Sequence, residues 1–232
     1  MARAITTTMP EYPALLRLLQ LASPTLPVGA YAYSQGLEYA VQRGWVTNET
    51  ETRTWILGLL GHSQTYLDIP VFARLYRSWL GADDGSLQYW NAWLYASREA
   101  AELQREDRHL GTALARVLTA LEIVEAESWQ NASKTCFATL FSLAAVRWRI
   151  ELPVAATGYL WAWCENQVAA AAKLALLGQT AAQRILSSAM PAIATAVDTG
   201  LSLDDNEIGC AVAGLGLASA LHENQYSRLF RS

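Results

Sequence analysis

Residues 13–43 read PALLRLLQLASPTLPVGAYAYSQGLEYAVQR, and this stretch decides the fold class. Its first part places leucine and alanine at helical spacing, which predicts a helix over residues 13–21 with proline in its first turn. Two prolines and a glycine then interrupt the pattern. Ser34 is expected to cap a second helix, which runs to about Arg43. The stretch therefore predicts two helices joined by a Pro/Gly-rich connection, residues 23–33, called the first loop below.

Segments with the helical period fill most of the remaining chain, and few segments alternate with the period of a strand. A helix that opens at Thr47 or Asn48 meets Pro70, which is expected to interrupt or restart it. Ser86 is expected to cap a long helix that ends near Arg108. The other predicted helices cover residues 71–80, 109–121, 129–149, 153–177, 180–197 and 209–222.

These segments predict an all-α fold, a single-domain bundle of about nine or ten helices. The bundle is expected to span residues 13–222. Residues 1–12 are polar and rich in threonine, and they are predicted to be a flexible N-terminal segment. Residues 223–232, called the tail below, are predicted to dock onto a partner.

The composition is apolar and poor in charge. Of the 232 residues, 52% are hydrophobic and 16% are charged, against a usual charged share of about 25%. Such a chain can bury a large core, and the few charges left for its surface favour an obligate partner or self-association. The alternative is a monomer whose core is rich in tryptophan. The net charge of −4 and the lack of a Lys/Arg-rich stretch argue against a nucleic-acid partner.

The cysteines and the apolar runs bear on the compartment. Cys136, Cys164 and Cys210 are far apart and lie in apolar surroundings, so they are expected to be small buried hydrophobes in a reducing compartment. The first residues lack a signal-peptide pattern. The longest uncharged apolar run, residues 208–221, is shorter than the roughly 20 residues of a membrane-spanning helix. The sequence predicts a cytoplasmic protein without a membrane partner.

Motifs for nucleotide, cofactor and metal chemistry are missing. The chain has no G-x-x-x-x-G-K-[ST] loop, so we do not expect it to hydrolyse GTP or ATP by itself. His62, His109 and His222 are isolated from one another and from the cysteines, so no metal-ligand spacing is present. We expect a protein that is not an enzyme, with no catalytic residue, no cofactor and no tight metal site.

Two segments have the composition of contact surfaces. The first loop combines stiffening prolines with Tyr31, which offers a flat amphipathic surface, although an ordinary inter-helix connection is an equal alternative. In the tail, Tyr226, Leu229 and Phe230 would form one apolar stripe if the segment were helical. Arginines flank this stripe, and tyrosine and arginine are common in binding hot spots. The tail can dock into a partner's groove or fold back on its own bundle.

Two helical regions carry charges whose surroundings bear on function. Arg98 and Glu102 are four residues apart, which predicts a solvated, salt-bridged helix face. Lys173 is the only charge between Glu165 and Arg184. It is expected to be paired and partly buried, to face a partner or a water-filled channel, or to extend to solvent.

With these segments laid out, the chain resembles the urease accessory protein F family. The resemblance lies in LLQLASPTLPVGAYAYSQGLEYAVQRGWV, residues 18–46, and in the ending QYSRLFRS, residues 225–232, both highly specific strings. The Asp68-Ile69-Pro70 step, residues 97–99 and 146–149, and the lysine of the alanine-rich helix are similar as well.

The resemblance implies an all-helical homodimer that works with urease accessory proteins D (also called H) and G. In the family, protein G is the GTPase, and the complex assists nickel insertion into the urease apoprotein. The tail residues implied to dock protein D/H are Tyr226, Ser227, Arg228, Leu229, Phe230 and Arg231. The residues implied for the GTPase surface or the nickel path are Pro27, Gly29, Tyr31, Ser34, Glu38, Asp68, Arg98, Glu99 and Lys173.

A second function is also compatible with the sequence. The chain would then stimulate the GTPase directly, through an arginine that acts on the nucleotide, and Arg98 and Arg147 would be the candidates.

Overall fold

The computed structural model describes residues 12–232. Over these residues the chain forms ten α-helices, a π-helical segment and short 3₁₀ turns, without a strand. The predicted all-α, single-domain fold is confirmed. The helices are α1 (Tyr12–Ala22), α2 (Leu37–Gln42), α3 (Glu49–Leu59), α4 (Ile69–Gly81), α5 (Asp84–Ala96), α6 (Ala101–Ala120), α7 (Phe137–Arg147), α8 (Leu152–Lys173), α9 (Gln179–Ser202) and α10 (Ala213–His222).

Helix α7 lies at the centre of the bundle, because almost all of its side chains are buried. It packs against α4 and α6, while α8 pairs with α9 and carries α1 on its outer side. The helices meet at a cluster of aromatic rings, in which Phe72 lies 6.0 Å from Phe141 and 5.2 Å from Tyr159 between ring centroids. Such contacts add to the free energy of burying the rings themselves.

The chain stays helical through Pro70, where the sequence predicted an interruption or a restart. The π-helix Leu60–Asp68 leads straight into α4, and the proline occupies the first turn of α4. A proline in that position has no N–H to donate. Two hydrogen bonds span the five residues that are typical of a π-helix. Ile69 N–H donates to Gln64 O, and Thr65 Oγ1 donates to Leu60 O at 2.8 Å.

The long helix predicted from Ser86 to Arg108 is wrong. Asp83 caps α5 instead, since its carboxylate accepts the N–H of Ser86 at 3.0 Å. The helix then ends at Ala96, and α6 starts after the extended residue Ala100. The break lets Arg98 turn inwards to carboxylates on other elements, which spacing along the chain cannot reveal.

The predictions for the N-terminal segment and the cysteines have mixed outcomes. Most of the predicted N-terminal segment lies outside the described residues, and Tyr12 already belongs to α1. Cys136 and Cys164 are buried as predicted, whereas Cys210 is partly exposed. Burial raises the pKa of the Cys164 thiol to about 12. Among the described helices, none has both the length and the apolar content that crossing a membrane requires.

One glycine permits a close approach between two elements. A Cβ atom on Gly111 of α6 would collide with the carbonyl oxygen of Thr135 and lie 2.8 Å from its carbon. These are backbone atoms, so a rotamer change cannot relieve the contact. By contrast, within residues 12–232 no atom lies within 4 Å of the same position on Gly58 of α3, apart from its chain neighbours and the backbone of its own helix.

We expect Gly111→Ala to lower the free energy of unfolding by about 1–3 kcal/mol, because the added methyl group overpacks a rigid contact. The matched control, Gly58→Ala, should be neutral or stabilising by up to about 1 kcal/mol, because alanine favours the helix. Urea denaturation followed by circular dichroism measures both values. Equal values for the two variants would contradict the close approach at Gly111.

Candidate functional site

The tail does not form a helix, and its last residues lie along the first loop. Arg231 N–H donates to Ala32 O at 2.8 Å, and Ser34 N–H donates to Ser232 O at 2.8 Å. The Ser34 hydroxyl donates to the same carbonyl oxygen. The stripe expected of a helical tail is therefore absent, because the tail backbone bonds the first loop and Ser34 instead of itself.

Glu38 of α2 holds the middle of the tail. Its carboxylate accepts the N–H groups of Leu229 and Phe230 at 2.7 and 2.9 Å. The ring of His222, at the end of α10, lies 3.0 Å from Glu38 and 2.7 Å from Glu102 of α6. The three side chains are buried together and connect α2, α6 and α10.

The tail also bonds α6 directly. Arg228 donates to Glu102 at 2.8 Å, and the Ser232 hydroxyl donates to Glu106 at 2.7 Å. Glu106 accepts a further hydrogen bond from Gln35 at 2.8 Å. Burial raises the pKa of Glu106 to about 7, and the two hydrogen bonds only partly oppose this rise.

The side chains of the tail divide between core and solvent. Phe230 is 4% exposed and packs into the core, and the Lys173 ammonium lies 4.4 Å from the centre of its ring. This contact is a cation–π interaction. Tyr226 is fully exposed and Leu229 is about half exposed. The tail is thus folded back on its own bundle while it presents two apolar side chains outwards.

A second buried cluster surrounds Arg98. Its guanidinium contacts Asp68 at 2.7 Å and Asp107 at 2.8 Å, and Tyr159 donates a hydrogen bond to Asp68. Burial lowers the pKa of Arg98, but the two carboxylates outweigh it and raise the pKa well above the usual value. Asp107 also accepts the N–H of Phe137 at the start of α7.

The solvated helix face predicted for Arg98 and Glu102 is therefore wrong. The two residues have different partners, and Glu102 is buried against His222 and Arg228. Their spacing is uninformative because Arg98 precedes α6 rather than belonging to it.

A cleft of about 180 Å³ opens between the first loop, α6 and α8. Tyr31, Asp68, Arg98 and Glu106 are among its lining residues. Its wall also contains Gln64, whose buried Oε1 atom has no hydrogen-bond partner in the part of the chain that the structure describes. The cleft is thus apolar for the most part, with a polar floor supplied by the π-helix and α6.

The predicted site residues fall into a buried group and an exposed group. Ser34, Glu38, Asp68 and the Arg98 guanidinium are held inside the chain by their partners. The exposed positions are Pro27, Tyr31, Glu99 and Lys173, and Gly29 turns the first loop with a φ of 80°. The sequence reasoning missed Gln35, Glu106, Asp107 and His222. The sequence did hold a signal for Glu106. Leu103 and Leu110 lie three residues before it and four residues after it, so Glu106 shares the apolar face of the helix.

No group of three or more His, Cys, Asp or Glu side chains within residues 12–232 is arranged to hold a metal ion. The fold and site together define a class of protein: an all-helical bundle whose C-terminal tail is bound by its own first loop.

Comparison with known proteins identifies the family. The sequence model of the UreF family matches residues 46–190. A protein of Alkalilimnicola ehrlichii named urease accessory protein UreF is 52% identical over 216 residues, which cover 93% of this chain and 95% of the relative. Proteins of the same name from Psychrobacter cryohalolentis and Teredinibacter turnerae are 46% and 48% identical, each over 94% of this chain and over 94% and 98% of the relative. The chain belongs to the UreF family.

The two arginines considered above allow a matched test of the buried cluster. Arg98→Ala leaves two buried carboxylates without their cation, and we expect it to lower the free energy of unfolding by about 3–5 kcal/mol. Arg147 pairs with Glu125 at the surface, so Arg147→Ala should cost at most about 1 kcal/mol. Chemical denaturation of both variants measures the difference. A loss below about 1 kcal/mol for Arg98→Ala would show that the cluster is not an ion-paired core.

Proposed function

We propose that this chain is a non-catalytic cytoplasmic adaptor, active as a homodimer, in the maturation of urease. It acts with urease accessory proteins D/H and G in the GTP-dependent insertion of nickel into the urease apoprotein. Membership of the UreF family is the observation that carries this proposal. The missing P-loop supports it, because an adaptor of this kind leaves nucleotide hydrolysis to a partner.

The surface around the tail supports docking of protein D/H. Helix α10 leads into the tail and exposes Leu217 and Leu221, which are four residues apart and share one helix face. Tyr226 and Leu229 of the tail are exposed as well. Exposed apolar groups of this kind are typical of protein-binding surfaces. We assign the docking of D/H to this surface, with Ser227, Arg228 and Arg231 beside it and Phe230 anchoring the tail to the bundle.

We assign the GTPase surface to the exposed positions of the first loop and its neighbours. Pro27, Tyr31, Glu99 and Lys173 are free to touch a partner, and Gly29 sets the path of the loop. Ser34, Glu38, Asp68 and Arg98 contribute by holding the loop and the tail in place, because their polar atoms already have partners inside the chain.

Nickel transfer does not require a tight site in this chain. A cluster of His or Cys ligands would bind the ion strongly and slow its release to the next protein. In the proposed complex the ligands belong to the partners, while this chain aligns them.

The test of the docking surface uses a double variant, Tyr226→Ala with Leu229→Ala. It removes the exposed apolar side chains of the tail, leaves those of α10 in place, and keeps the backbone bonds of the tail to Glu38 and Ser34. We expect binding of purified protein D/H to weaken at least about tenfold, as for the loss of hot-spot residues, in isothermal titration calorimetry.

The matched control is Tyr89→Ala with Leu80→Ala, since these two side chains are exposed on α5 and α4. It should bind as the native chain does. Native affinity in the tail variant, with unchanged circular dichroism, would overturn the assignment. Deleting the tail is a less specific test, because it also uncovers Glu38, Glu102 and Glu106.

A further inference from the structure

Glu106 occupies an unusual position beneath the end of the tail. It is buried on α6, and its two carboxyl oxygens accept hydrogen bonds from the Ser232 hydroxyl and the Gln35 amide. Ser232 is itself fully buried. The end of the tail therefore contacts this carboxyl group and helps to cover it.

The charged groups around Glu106 leave it without a counter-ion. The positive charge of Arg98 acts on Glu106, but its guanidinium is bound to Asp68 and Asp107. Asp107 adds negative charge beside Glu106. Glu102, one turn earlier, has Arg228 and His222 as partners, whereas no ion pair to Glu106 occurs within residues 12–232.

The first loop and the tail bring no compensating charge to Glu106 either. Tyr33 of the first loop lies near it and bonds His109 through its hydroxyl group at 2.9 Å. Arg231 of the tail lies beside Tyr33. These groups satisfy one another, so an ionised Glu106 would be a buried charge with two neutral donors.

We propose that the tail is a pH-sensitive latch in which Glu106 is the titrating group. With a proton on Glu106, the buried carboxyl group is neutral and the tail stays bound to the first loop and α6. When Glu106 ionises, the tail is released more readily, because its departure lets water reach the charge.

The direction of the effect follows from linkage. Burial raises the pKa of Glu106 to about 7 while the tail is bound, and release of the tail moves it towards its ordinary value of 4.5. Glu106 thus contributes fully to tail binding at pH values below 4.5, and this contribution is lost as the pH rises through about 7. The binding equilibrium of the tail should fall about tenfold between pH 6 and pH 8.

Hydrogen exchange of the full chain tests the latch. The N–H groups of Leu229 and Phe230 donate to the Glu38 carboxylate, and that of Arg231 donates to Ala32 O. Their acceptors lie outside the tail, so their protection reports tail binding. We correct the exchange rates for the intrinsic amide exchange rate at each pH. The resulting protection factors should fall about tenfold from pH 6 to pH 8. The amides of α7 serve as the internal control and should keep their protection.

The matched variant is Glu106→Gln, which keeps the size of the side chain and stays neutral at every pH. It should abolish the pH dependence, and at both pH values its protection should be at least as high as that of the native chain at pH 6. Unchanged protection of the native tail between the two pH values would overturn the proposal. A tenfold fall that persists in the variant would assign the effect to another group and would overturn it too.

A second measurement covers the case in which the variant does not fold. Carbon-13 NMR of the Glu106 carboxyl group in the native chain should show a titration midpoint near 7. A midpoint near the ordinary value of 4.5 would exclude Glu106 as the titrating group.

Discussion

The need to satisfy three buried carboxylates on one stretch of α6 organises the site. Glu102, Glu106 and Asp107 are all nearly inaccessible to water, and burying a charge without partners costs on the order of several kcal/mol. Their partners come from different parts of the chain: His222 and Arg228 for Glu102, Gln35 and Ser232 for Glu106, and Arg98 for Asp107. Satisfying these groups therefore fixes the first loop, the tail and the start of α7 relative to one another.

This arrangement explains how far the sequence could predict the molecule. Helical spacing of apolar residues depends on local geometry, so it located most helices of the bundle and the break that follows α1. It also extended the helix over residues 129–149 too far, because α7 begins only at Phe137. Local reasoning failed where a distant charge decides the conformation. The predicted helix through Arg98 is interrupted because Asp68 and Asp107 draw that side chain inwards. The tail was predicted to be amphipathic if helical, but the carboxylate of Glu38 binds its backbone and prevents a helix.

The sequence indicated which residues belong to the candidate site better than it indicated what each of them does there. The resemblance to the family singled out Ser34, Glu38 and Lys173, and the structure brings all three against the tail. It could not tell which positions are buried supports and which are exposed. That distinction depends on residues without a sequence signal, above all His222, which is an isolated histidine in the chain and a bridge between two carboxylates in the fold.

The balance between polar anchoring and apolar exposure bears on how an adaptor of the proposed kind would work. Hydrogen bonds that replace bonds to water contribute only about 1 kcal/mol each, so the tail is held by several small terms together with the burial of Phe230. Such an attachment is specific in register yet modest in strength, because each donor matches one acceptor. A partner that binds Tyr226 and Leu229 therefore acts on a segment whose other end contacts Ser34 and Glu106. Through those contacts, docking at the tail and the shape of the first loop and cleft are parts of one coupled equilibrium.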